Sequence, residues 1–334
     1  MKVLLGILLF VVIALAGHRR SFKALPLGAS HLFLTGIEYI LVGLCLGDAL
    51  LGVLDRRTLD ALSPFMVLGL GWVGLLYGVQ LDLRRLASIG GSVVSGALLQ
   101  GALTALVVFA AMFALLRTLT SVGTLCWPST LVLAAVASCT ASSSLALIAG
   151  RRRSDPALDF ALLSASLDDL VAITTLACAL CFMPVFPGRD VPFDAWHRVI
   201  YSIGLGVVTG VIMNGIARGR GKREELFVVV LGLVIFSGAA ALFFRVSPLF
   251  TSLLAGLVVG NLSGQREKII GILLQGEKPL YLVFLVFAGA SWRPEMLHLL
   301  LLVPIYVTVR LAGKGAGGAL SARLLRRNVS LPYS

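Results

Sequence analysis

The feature that most constrains this chain is a series of uncharged apolar runs, each long enough to cross a lipid bilayer as a helix. Ala61 to Leu81, Leu86 up to Arg117, Val199 to Ala217 and Leu226 to Phe244 hold no acidic or basic residue between their ends. A helical span of the hydrocarbon core needs about 20 such residues. Backbone inside lipid must satisfy its own hydrogen bonds, which leaves helices and closed barrels. Barrels require alternation of apolar and polar residues, and that pattern is missing here. The fold class is therefore all-α and polytopic. The chain is 58% hydrophobic and 13% charged, with its charges in short clusters between the runs, which excludes a water-soluble fold.

Charge clusters and Pro/Gly punctuation place eleven transmembrane helices at about residues 2–17, 31–53, 63–81, 88–116, 127–149, 159–183, 197–217, 225–244, 247–262, 279–292 and 296–322. Counted connection by connection, Lys and Arg number 18 in the odd-numbered connections and 7 in the even-numbered ones. The positive-inside rule then puts the N-terminus outside and the C-terminal end in the cytoplasm. The net charge of +12 would suggest nucleic acid in a soluble domain, but these basic residues flank helix ends, so the expected partner is the lipid bilayer and no nucleic acid. Cys45, Cys126, Cys139, Cys178 and Cys181 fall in or beside apolar segments without metal-type spacing, so neither disulfides nor zinc are expected. Met1 to Gly17 has its flanking charge after the apolar run, the reverse of a cleaved signal, and reads as the first span. No Walker loop is present, and the chain reads as neither an enzyme nor a cofactor protein.

Charges inside the spans carry the functional information, because one at mid-membrane costs at least about 2.5 kcal/mol and needs a partner, water or a task. Glu38, Asp168, Asp169, Arg310 and Lys314 are such residues. Asp168 and Asp169 lie side by side in LLSASLDDLVAITTLACAL, about 100° apart on a helix surface. Two adjacent carboxylates in low dielectric can trade a proton for a metal cation; as helix-end caps they would merely be solvated. Lys314, in VRLAGKGAGGALSAR, sits among small residues that admit a neighbouring helix. It reads as a mobile counter-charge for one aspartate or as a lysine snorkelling to the interface. Arg310, one turn earlier, could play a similar part or pair with Glu38. Residues 137–150, ASCTASSSLALIAG, are rich in hydroxyls, which suits either a broken helix exposing backbone groups or ordinary small-residue packing. His18, His31, His197 and His298 lie near the expected interfaces.

The stretches YILVGLCLGDALLG, LGWVGLLYGVQLDLRRL, ASLDDLVAI, RVSPLFTSLLAGLVVGNL and EKPLYLVFLVFAGASW occur in an order that resembles the monovalent cation:proton antiporter superfamily, the sodium/hydrogen exchanger family, in its second, bacterial-type branch. The resemblance spans about residues 36–322. It implies an inverted-repeat fold in which Asp169 binds the cation or proton. Asp168 would pair with the lysine of a Gly-Lys motif, here Gly313 and Lys314. It further implies electrogenic exchange, a homodimer, a bacterial inner membrane, and a broken helix at Thr140, Ala141 and Ser142 forming the ion site. Ala141 stands where many members carry an acid. Relatives continue past the lysine helix with a second broken helix and one more span. This sequence stops at Ser334, so the second repeat is expected to be incomplete, with eleven spans instead of thirteen. Core helices are expected at about 88–183 and 225–322, with scaffold helices at about 2–81 and 197–217. The expected activity is exchange of Na+ or K+ for protons by alternating access. A symporter of similar fold and a transport-inactive, regulatory membrane subunit are the alternatives.

Overall fold

The computed structural model describes residues 37–48, 50–84, 91–119, 126–140, 156–182, 195–218, 222–292 and 301–328. The expected first span, residues 2–17, lies outside them. Among the described residues there are ten α-helices: α1 Ile37–Leu46, α2 Arg56–Gln80, α3 Gly91–Leu119, α4 Cys126–Ser138, α5 Pro156–Phe182, α6 Ala195–Ala217, α7 Arg223–Phe243, α8 Pro248–Leu262, α9 Arg266–Ala290 and α10 Leu302–Asn328. Five described helices, within α2, α3, α6, α7 and α9, are long and apolar enough to cross a membrane. Large apolar side chains point outward, including Phe243 at 82% exposure, Val228 at 66% and Leu106 at 62%, as they do where lipid is the solvent.

Several expected spans differ from the helices observed: among the described residues the span expected at 31–53 is helical only from Ile37 to Leu46, and the one expected at 296–322 is observed as Leu302–Asn328. α9 begins at Arg266, whereas the sequence reading starts it at 279 because Glu277, Lys278 and Pro279 look like a loop. The helix runs through them: Pro279 is accommodated, as membrane helices allow when neighbours re-satisfy the freed carbonyl. Charges at the start of α9 also have work. Arg266 donates from Nε to the Val79 carbonyl at 2.9 Å and from a terminal nitrogen to the Gln80 carbonyl at 2.7 Å, closing the C-terminus of α2. The expected span 127–149 is helical only to Ser138; Cys139 and Thr140 follow outside the helix, and 141–150 lie outside the described residues.

By contact the described residues form two compact units, one drawn from within 1–80, 205–241 and 251–300, the other from within 81–204, 242–250 and 301–334. The expected core and scaffold are a division by motion, which contact alone leaves as an expectation. The core of the first unit joins Trp72, Leu75, Leu76 and Val79 of α2 to Met213 of α6, Leu226 and Val230 of α7, Val259 of α8 and Ile269 and Leu273 of α9. The Trp72 indole donates to the Leu273 carbonyl at 2.9 Å. In lipid, helices gain little from burying apolar surface and associate where small residues let backbones touch. Gly78 of α2 and Gly256 of α8 do this: a Cβ on either would come within 2.9 Å of the other's Cα. In the second unit, Gly313 and Gly317 of α10 lie against α3, where a Cβ at Gly317 would stand 3.0 Å from the Gln100 carbonyl oxygen.

Candidate ion site

Asp168 and Asp169 lie at the middle of α5, thirteen residues from Phe182 in the case of Asp169, or about 20 Å of helix from that end. They are not helix-end caps. Asp168 is 1% exposed and Asp169 is partly buried. Space for Asp168 comes from Gly101 on α3: a Cβ there would be 3.0 Å from Asp168 Oδ1.

Lys314 reaches this carboxylate from α10. Its ammonium donates to Asp168 Oδ2 at 2.7 Å, to the Ser138 carbonyl at 2.7 Å, and to Thr140 Oγ1. Thr140 Oγ1 in turn donates to Asp168 Oδ2 at 2.6 Å. The three N–H donors of Lys314 are thus all placed, and one oxygen of Asp168 carries two donors. Its other oxygen, Oδ1, is buried and has no hydrogen-bond partner among the described residues.

The lysine belongs to a ladder. Tyr306, Arg310 and Lys314 recur every fourth residue on one face of α10, and each meets a carbonyl of α4 or its C-terminal extension. Tyr306 donates to Leu133 O at 3.0 Å, and Arg310 to Ala137 O at 3.1 Å and Cys139 O at 2.8 Å. The last carbonyls of a helix lack intrahelical donors and carry the negative end of its dipole. Two cations four residues apart satisfy both needs at the break after α4. Arg310, considered for Glu38 on sequence grounds, donates to these carbonyls instead. Snorkelling does not describe Lys314.

Asp169 faces different donors. Its Oδ1 accepts the Cys139 thiol at 2.9 Å and the Thr140 amide N–H at 3.3 Å. Among the described residues it makes no ion pair. Of the six residues that the sequence points to, Thr140, Asp168, Asp169 and Lys314 come together; Ala141 and Ser142 lie outside the described residues. Sequence reasoning missed Cys139, which looks like one more apolar-span cysteine, and Gly101. It also missed the placement of Arg310, although the spacing of Tyr306, Arg310 and Lys314 at successive fourth positions was there to be read.

The transmembrane sodium/hydrogen exchanger family matches residues 5–332. The fold is similar to that of the sodium proton antiporter MjNhaP1 from Methanocaldococcus jannaschii, with a TM-score of 0.66 and 16% identity, over 100% of this chain and 81% of that one. No curated protein matches the chain. A match across nearly every residue, on a polytopic helical fold, settles the family: the chain belongs to the sodium/hydrogen exchanger family.

Proposed function

We propose that the protein is a secondary active antiporter exchanging a monovalent cation, Na+ or K+, for protons by alternating access, with Asp169 as the carrier. Family membership supports cation and proton exchange in general. The observation that carries the reading is the unequal treatment of the two aspartates: Asp168 is neutralised by Lys314, while among the described residues Asp169 has only a thiol and an amide on one oxygen. A carboxylate without a counter-charge inside a membrane must hold either a proton or a cation. Exclusive occupancy of Asp169 then couples the two fluxes without ATP. Thr140, just past the end of α4, contributes to the site, and the reading gives Ala141 and Ser142, which lie outside the described residues, a part in it as well.

The electrogenic form of the exchange is supported by Lys314. A cation that recruits Asp168 as a second ligand would release the lysine, which can give up a further proton when its partner is withdrawn. The distribution of basic residues supports an outside N-terminus and a cytoplasmic C-terminal end, and the resemblance to the bacterial-type branch supports a bacterial inner membrane as the site of action. The functional unit in this proposal is a homodimer.

The test is dissipation of an imposed proton gradient in vesicles on adding sodium or potassium chloride, with membrane potential followed in parallel. Wild type is expected to dissipate the gradient and shift the potential, and Asp169→Asn to do neither. Full exchange by Asp169→Asn would overturn the carrier assignment. Substrate movement insensitive to the gradient would favour a symporter, and no flux from the wild type a regulatory role.

A further inference from the structure

The roles given to Asp168, Asp169, Thr140 and Lys314 leave one polar group at the site without a task, the thiol of Cys139. Cys139 follows the last residue of α4, and both of its ends are held. Its carbonyl takes the Arg310 guanidinium at 2.8 Å, and its thiol donates to Asp169 Oδ1 at 2.9 Å. Thr140 divides its groups between the aspartates: its hydroxyl goes to Asp168, and its amide reaches Asp169 Oδ1 at 3.3 Å.

Among the described residues, the charged groups that face this point besides Asp169 are Asp168 on α5 and Arg310 and Lys314 on α10, and α3 brings the uncharged Gln100, Gly101 and Thr104 to the same unit. Lys314 is committed to Asp168, Thr140 and Ser138, and Arg310 to backbone carbonyls. Among the described residues, therefore, Cys139 is the side-chain donor on Asp169.

From this geometry we infer that Cys139 is a positioning residue that sets cation affinity: its thiol holds Asp169 in the cation-free state and is displaced when the cation binds. The inference rests on the exchange reading of Asp169. Asp169 Oδ1 accepts two donors, which occupy its lone pairs, so a cation binding at this oxygen must displace one of them. The amide of Thr140 is fixed by the backbone. The thiol is a weak donor, so it aims the carboxylate at little cost to release, whereas a hydroxyl at the same place would compete harder.

The inference is tested by sodium-dependent exchange in proteoliposomes for wild type, Cys139→Ala and Cys139→Ser. Losing the donor should lower the apparent KM for Na+ by about 3- to 10-fold, and serine should raise it by a similar factor. In both, the change in KM should exceed that in maximal rate. A second measurement does not depend on the variants being stable: infrared difference spectra of wild type with and without sodium chloride. An S–H stretch that moves to higher frequency when Na+ is added supports displacement. Variants with unchanged KM, or an S–H region indifferent to Na+, would overturn the role of Cys139. If wild type exchanges Na+ for protons and those readouts stay silent, only this inference falls; if wild type does not exchange, the reading of Asp169 falls first.

Discussion

Lys314→Met is the change whose energetic consequence is most fully determined by the site. Met retains the length and apolar stem of lysine but removes all three donors. Asp168 is 1% exposed and its Oδ2 would keep only the Thr140 hydroxyl, while the Ser138 carbonyl would lose the ammonium at 2.7 Å. Removing one partner of a buried ion pair costs about 3–5 kcal/mol, chiefly because the remaining charge stays buried. Asp168→Asn is milder: Lys314 is 20% exposed and keeps Ser138 and Thr140, so about 1–3 kcal/mol is expected. In the double variant no charge is stranded, and the loss should approach that of the hydrogen bonds alone. The two single effects should therefore overshoot the double by about 2 kcal/mol. Unfolding free energies from mixed-detergent titrations of the purified protein supply the cycle. Additivity within about 0.5 kcal/mol would mean that the two side chains do not depend on each other, refuting the pairing.

Three further perturbations have defined outcomes. Gly317→Val forces a side chain onto the Gln100 carbonyl oxygen, 3.0 Å from the new Cβ, and should cost about 1–3 kcal/mol in the same titration by prising α10 from α3. Gly101→Ala sets a methyl 3.0 Å from Asp168 Oδ1 and 3.3 Å from Val171; the displaced carboxylate should slow exchange about 10-fold in proteoliposomes while the protein still accumulates in the membrane. Arg266→Ala frees the carbonyls of Val79 and Gln80 at the end of α2; Gln80 is exposed and water can substitute there, but Val79 is buried, so a loss of about 1–3 kcal/mol is expected in unfolding titrations.

The elements most legible in the sequence were those governed by the bilayer itself. Long uncharged runs dictated α3, α6 and α7 to within about three residues at each end, because a backbone in lipid has few alternatives to helix. The start of α9 was hidden because Arg266, Glu267, Lys268, Glu277 and Lys278 satisfy the local criteria for a loop, and the reason they are helical is the distant end of α2, which Arg266 closes. At the site, Asp168, Asp169 and Lys314 announce themselves by the cost of charge in a span. Cys139 and Gly101 do not, since a cysteine and a glycine in an apolar run are cheap wherever they fall. Their importance comes from which oxygen of which aspartate they meet, and that depends on how α3, α4, α5 and α10 pack.

The central claim is that Asp169 holds a proton and a cation by turns. Its most direct test is proton release from the purified protein in weakly buffered detergent solution, followed with a pH indicator as sodium chloride is added. Wild type is expected to release protons saturably at Na+ concentrations near the transport KM, and Asp169→Asn to release none. Undiminished release from Asp169→Asn would contradict the claim.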